Sequence, residues 1–222
     1  MIIVLGHRSK AYRRKGQHLL DTCLASAERI DRLRDVLVID NGSDVPLSVP
    51  PEVRTIRIFD QRKGFSWAFN LAAERAIGLG EKILHFINDD IHLNKSFNVY
   101  ERDIMDEFDG DKDHTCFGPL MDDCRAKWQC VDPEKTVSKF ELPPVIPGST
   151  GRRYQLIGAF ISMTPGFFRK HGPIPCDGIH ALGGIESIQF HPGAQAMIVT
   201  SGLFHHDAIG GWGQIKKLVS GR

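Results

Sequence analysis

Two short apolar runs, Met1–Gly6 (MIIVLG) and Val36–Asp40 (VLVID), bracket a stretch with helical periodicity, and that order leaves few folds open. Leu19, Leu20, Cys23, Leu24 and Ala27 recur at helical intervals through Gln17–Ile30. Neither flanking run alternates apolar with polar residues, as a strand wetted on one face does. Both read as strands buried on both faces. Strand, crossover helix and strand within about forty residues make a βαβ unit with its two strands parallel in one sheet.

The alternation continues. Val45–Glu52, with three prolines, is an irregular connection to a strand over Arg54–Phe59. Ser66 can cap a helix running to Ile77, whose face of Ala68, Leu71, Ala72 and Ala76 is small enough for close packing, and Gly78 and Gly80 end it. Ile83–Ile87 is a further buried strand, and Phe97, Tyr100, Ile104 and Phe108 mark an amphipathic helix. Strands are expected over Thr115–Pro119, Leu156–Met163, Ala196–Thr200 and Leu203–His205, a helical turn over Gly166–Gly172, and a last helix within Gly178–Phe190. Residues 121–153 hold no steady period. Irregular stretches of that length are functional lids or disordered, so a partly mobile excursion is expected there, and a flexible tail over 211–222. The expectation is one α/β domain over 1–222, a mostly parallel, Rossmann-like sheet flanked by helices.

Composition narrows the partners. With 41% hydrophobic and 25% charged residues, the chain reads as an ordinary globular protein. A net charge of +1 gives no global pull toward nucleic acid or a membrane surface. Five scattered cysteines without a Cys-x-x-Cys pair suit free thiols in a reducing compartment. His114, Cys116, Cys124 and Cys130 lack the compact pairing of structural zinc sites. No leader precedes the first strand and no apolar run approaches the ~20 residues of a membrane helix, so the expected location is cytoplasmic.

The chemistry gathers where apolar runs stop. Ile83–Ile87 runs straight into Asn88-Asp89-Asp90, and ligands of open α/β sheets bind beyond the carboxyl ends of strands. Two adjacent acids repel one another and lose hydration there, and a hard divalent cation shared with substrate phosphates relieves both costs. Val36–Asp40 likewise ends in an acid, followed by an Asn41-Gly42 turn that brings backbone donors close. Arg8–Lys15 carries five basic residues around Tyr12, enough to face a pyrophosphate or, in a weaker reading, a modified nucleic-acid acceptor.

Asp40–Asp44 (DNGSD), Lys63–Asn70 (KGFSWAFN) and Phe86–Leu93 (FINDDIHL) stand in an order that resembles the nucleotide-sugar glycosyltransferases of the GT-A fold, most closely family 2. The match covers Met1–Leu93 well, the nucleotide-binding half (1–93), and the acceptor half (115–210) more loosely. The resemblance implies a single-domain GT-A fold and metal-dependent transfer of a sugar from a nucleoside diphosphate sugar, UDP-linked, to an acceptor the sequence does not identify. It implies donor contacts from Gly6, Arg8, Asp40, Asn41, Lys63, Asn70, Asn88 and Asp89. It also implies a Mn²⁺ or Mg²⁺ held by Asp90 and by a late histidine, His206 or His205. Glu186 falls where the family carries a Glu-Asp pair, but Ser187 replaces the Asp that serves as base in inverting members; Glu186 and Asp177 are the remaining candidates. That departure keeps a non-catalytic nucleotide-sugar-binding protein in view. A nucleotidyltransferase is the other alternative, although Gly6-His7-Arg8-Ser9 lacks the glycine-rich loop such enzymes carry after the first strand.

Overall fold

The computed structural model describes residues 1–7, 13–59, 64–122, 140–141, 156, 158–174, 176, 188 and 191–206. Its strands are β1 (Ile2–Gly6), β2 (Val36–Asn41), β3 (Arg54–Ile58), β4 (Leu84–Asn88), β5 (Ile91–His92), β6 (Thr115–Met121), β7 (Phe140–Glu141), β8 (Phe160–Met163) and β9 (Gln195–His206). The helices are α1 (Arg13–Glu28), α2 (Gly64–Gly78), α3 (Ser96–Arg102) and α4 (Pro165–His171). The strands lie in the order β3-β2-β1-β4-β8-β6-β9-β5, with β7 also on β9. The first four are mutually parallel, as the βαβ pattern requires. Antiparallel β8 then separates β4 from β6, and β9 runs parallel to β6, so the second half of the sheet is mixed.

The unbroken apolar runs follow from packing on both faces. On one face Ile2, Val4, Val36 and Val38 meet Leu20, Cys23, Leu24 and Ala27 of α1, together with Phe97 and Tyr100 of α3. On the other, Ile3, Leu5, Leu37 and Ile39 meet Ala68, Ala72, Ala73 and Ala76 of α2 and Phe167 of α4. The alanines let α2 lie close, and a larger side chain there would overpack a filled core at about 1–3 kcal/mol.

Several boundaries differ from the sequence reading. Helix α1 begins at Arg13, inside the basic run. The helix expected through Phe108 is α-helical only to Arg102 and continues as a π-helical turn, Asp103–Glu107. Asp103 is buried in that turn and accepts hydrogen bonds from Arg102 Nη2 (3.3 Å) and from the Ser201 hydroxyl. The two closing strands are one: pairing with β6 steps from Pro119↔Val199 to Leu120↔Leu203, so Thr200–Gly202 bulges out of β9. Glycine is needed at 202, because a Cβ would lie 2.7 Å from Tyr100 Cδ2. Strand β7 falls within the expected excursion, pairing Phe140 with Val199 and Glu141 with Ile198. The remainder of 123–155, apart from these two residues, and the tail lie outside the described residues, as does all of Gly178–Phe190 except Ile188.

One polar group intrudes into the core. His85 of β4 is fully buried, with Nδ1 2.7 Å from Ser162 Oγ and Nε2 3.1 Å from Glu101 Oε1. Burial pushes its pKa well below the ordinary histidine value, with the amino terminus and Arg32 adding to the effect. The ring is therefore neutral. The consistent assignment has Nε2–H donating to Glu101 and Nδ1 accepting from Ser162, whose oxygen accepts from the Tyr100 hydroxyl at 2.9 Å.

Candidate donor and metal site

The carboxyl ends of β1, β2 and β4 are adjacent: Gly6 pairs with Asp40, and Leu5 pairs with Asn88. Strand β9 runs parallel to this group and turns its last residue, His206, into register with Ile91 of β5, the residue directly after Asp90. Residues from four separate parts of the chain thus meet at one end of the sheet, where open α/β folds bind ligands.

His206 Nε2 lies 3.5 Å from Asp90 Oδ2, with both side chains mostly buried. The other Asp90 oxygen, Oδ1, is buried without a hydrogen-bond partner. Burial raises the pKa of the neighbouring Asp89 carboxyl well above the usual carboxylate range, and the Asp90 charge adds to this. An Asp90 oxygen without a partner and the facing His206 imidazole nitrogen make a partial donor set that a divalent cation fits. Among the described residues no three His, Cys, Asp or Glu side chains converge as a complete metal cage. An ion here would draw its remaining ligands from water and from substrate phosphate, as magnesium-type sites do. His205 points elsewhere: its Nδ1 donates to Asp122 Oδ2 at 2.7 Å, and its ring meets the His92 ring edge-on at 4.8 Å. Of the two candidate histidines, only His206 faces Asp90.

Asp40 is 1% exposed. Its Oδ1 accepts from Ser43 N and its Oδ2 from Leu47 N, each at 3.2 Å, and Arg57 Nε stands 3.6 Å away. These partners make the carboxylate the organiser of the loop that follows β2, where Gly42 turns the chain with φ 66°. The same loop packs closely on Gly6: a Cβ there would lie 2.7 Å from Leu47 Cδ1 and displace that side chain, and would be 3.9 Å from Asp89 Oδ2. Asn41 is buried, its carbonyl 2.9 Å from His7 Nδ1, while its side-chain Oδ1 has no hydrogen-bond partner.

Asn70 sits deeper. Its Nδ2 donates to the Ile174 carbonyl and its Oδ1 accepts from Ile174 N, both at 2.8 Å, so its amide joins α2 to the segment after α4. Asn88 ends β4, its backbone N–H donating to the Ala159 carbonyl at 2.9 Å. Arg8, Lys63, Asp177 and Glu186 lie outside the described residues. The sequence reading overlooked Asp122. Besides His205, it holds the backbone N–H of His206, which donates to Asp122 Oδ1 at 3.2 Å. The signal was an acid at the end of an apolar run, Thr115–Met121, the same cue that marked Asp40 and Asp89.

No protein-family model matches the chain, and no curated protein matches its sequence. Solved structures match throughout its length. A Pyrobaculum calidifontis mannosyltransferase in complex with GDP-Man and Mn²⁺ is similar at 14% identity and TM-score 0.59, over 96% of this chain and 58% of that one. TarS of S. aureus, residues 1–349, is similar at 14% identity and TM-score 0.58, over 92% and 60%. A putative glucose-1-phosphate thymidylyltransferase from Bacillus anthracis is similar at 13% identity and TM-score 0.50, over 90% and 86%. The chain spans less than two thirds of the first two. Such identities establish the fold alone, which is a GT-A-like α/β scaffold. No helix among the described residues is long and apolar enough to cross a membrane.

Proposed function

We propose that this chain is a glycosyltransferase that binds a nucleoside diphosphate sugar, UDP-linked, through a Mn²⁺ or Mg²⁺ ion at Asp90 and His206. The observation that carries the reading is the unpartnered Asp90 Oδ1 beside His206 at the sheet's carboxyl end. Asp89 lies next to it, over Gly6. A bound cation supplies Lewis-acid stabilisation of the charge that grows on a diphosphate leaving group. Asp90 and His206 would hold that ion, and the Asp40 loop would shape the nucleoside end of the site. In the transfer, an acceptor oxygen attacks the anomeric carbon as the bond from that carbon to the diphosphate oxygen breaks. The bonding pair leaves on the diphosphate, and the acceptor proton passes to a carboxylate. Glu186 is proposed as that base, with Asp177 as the alternative. If the sugar's configuration is retained, neither serves as an inverting base, and NMR of the product's anomeric centre decides this.

A nucleotidyltransferase is the second reading, because a thymidylyltransferase shares the fold. The two differ in what leaves. Incubation with nucleotide sugars and Mn²⁺ should release nucleoside diphosphate if glycosyl transfer is correct. Pyrophosphate released from a nucleoside triphosphate plus a sugar 1-phosphate, with no diphosphate from the sugar nucleotides, would replace that conclusion.

A further inference from the structure

Phe59 follows β3 and is 82% exposed, the most exposed large apolar side chain among the described residues. Its position is fixed from below. The Arg57 guanidinium covers one face of the ring, with its carbon 5.0 Å from the ring centroid. Arg57 is itself anchored, Nη2 donating to the Ser43 carbonyl at 3.2 Å and Nε lying 3.6 Å from Asp40 Oδ2. The guanidinium thus lies under the phenyl ring and stands on the loop that Asp40 organises, and the opposite face of the ring is exposed.

We propose that this open face of Phe59 is the platform on which the donor's nucleobase stacks, an inference that rests on the donor reading above. Three features select a base over other occupants. The stack lies at the carboxyl end of the outermost strand of the parallel half, so the surface is at the rim of the ligand crevice. Strands β2 and β1 separate it from β4, three strand spacings or about 14 Å. An extended nucleoside diphosphate covers that span, with its base at β3 and its distal phosphate at Asp90. Asn41, paired in register with Ile58 at the same end of the sheet, keeps a buried Oδ1 without a hydrogen-bond partner, a polar group left over beside the crevice. Aromatic stacking accepts any base face, so the platform adds affinity while leaving base identity to the hydrogen bonds around it.

The test is calorimetry of UDP, GDP and inorganic pyrophosphate, each with Mn²⁺, on the full chain and on Phe59→Ala and Phe59→Tyr. Pyrophosphate keeps the phosphate and metal contacts and lacks the base. The expected result is that Phe59→Ala weakens both nucleotides about tenfold, leaves pyrophosphate unchanged and keeps the wild-type melting temperature. Phe59→Tyr should restore nucleotide binding. Unchanged nucleotide affinity in Phe59→Ala overturns the platform, and so does an equal loss for all three ligands, which would mark a disturbed loop. Wild-type protein that binds pyrophosphate as tightly as nucleotide overturns the platform and leaves the metal site standing. Wild-type protein that binds none of the three overturns the donor reading and the platform with it.

Discussion

Asp90 and His206 face each other across the β5–β9 pairing at 3.5 Å, although 116 residues of chain separate them. Neither has its geometry by chance of local sequence: Asp90 is set by the end of β4, and His206 by the clamp of Asp122 on its backbone N–H. Calorimetry with UDP should show affinity that rises with Mn²⁺ or Mg²⁺ and a loss of that rise in Asp90→Ala and in His206→Ala. His205→Ala should keep most of it. Equal affinity with and without metal in all four proteins would remove the cation from the account.

Asp122 is expected to act on the same site through position. In Asp122→Ala the His206 backbone loses its clamp, so metal dependence should shift to higher Mn²⁺ concentration by several-fold while the metal-free affinity for UDP stays as it was. Asp122→Asn keeps an acceptor oxygen and should lie between the two. A drop in metal-free binding instead would mean that Asp122 touches the nucleotide.

Asp40→Ala strips acceptors from two buried backbone N–H groups and leaves Arg57 without its anion. A loss of about 1–3 kcal/mol in unfolding free energy follows from unsatisfied groups of this kind. Chemical denaturation checks it. Wild-type stability with weakened nucleotide binding would return Asp40 to the role of a direct donor contact.

Stability should also fall with acid above the carboxylate range. His85 and His171 both have folded pKa values below the ordinary 6.5. For His171 burial comes first, then the charges of His114, His191 and Lys170; a backbone hydrogen bond to Asp113 opposes them. His171 shares Nε2 with His114 Nδ1 at 3.0 Å and Nδ1 with His191 Nδ1 at 3.2 Å, while Asp111 Oδ2 lies 3.8 Å from the far nitrogen of His114. At these two histidines the unfolded chain binds more protons than the folded one below 6.5, so their stabilisation is complete above that value and is lost as pH falls toward the folded pKa values; Asp89, whose carboxyl is raised by burial and releases a proton on unfolding, offsets part of the decline. The slope is about 1.4 kcal/mol per pH unit for each histidine that gains a proton on unfolding. Urea titrations from pH 7.5 to 5 should show the decline, and His171→Asn should flatten part of it. A level profile would mean that both rings take up protons in the folded protein as readily as in the unfolded chain.

His85→Leu should be costly for a different reason. The change takes the imidazole from the buried Ser162 hydroxyl and from the partly buried Glu101 carboxylate, worth about 1–3 kcal/mol in urea unfolding at pH 7.5. A neutral outcome would indicate that the Tyr100 hydroxyl and Arg32 satisfy both without the imidazole.

The parallel half of the sheet was legible because its strands are covered on both faces, which turns them into unbroken apolar runs such as Ile2–Leu5 and Val36–Ile39. Asp89 and Asp90 stood out for the complementary reason, as acids where such a run stops. What stayed hidden depends on long-range pairing. Strand β5 is two residues long, and β7 is too, so neither has a period to read. The engagement of Asp40 by Leu47 N and of Asn70 by Ile174 joins residues through loops whose path no local pattern encodes. The choice between His205 and His206 needed the register of β9 against β5.

That choice traces back to the bulge at Thr200–Gly202. Before it, odd-numbered residues of β9 such as Val199 pack on the α1 side of the sheet; after it, the even-numbered Phe204 does. The bulge therefore works as a frame shift in side-chain direction, and His206 shares the phase of Phe204. If the bulge took up two residues instead of three with the chain unchanged, the strand end would slip by one ladder position and return to the original phase. His205 would then inherit the position opposite Asp90, Phe204 would turn out of the core, and a slip several residues before the histidines would rewrite which side chain the acid meets.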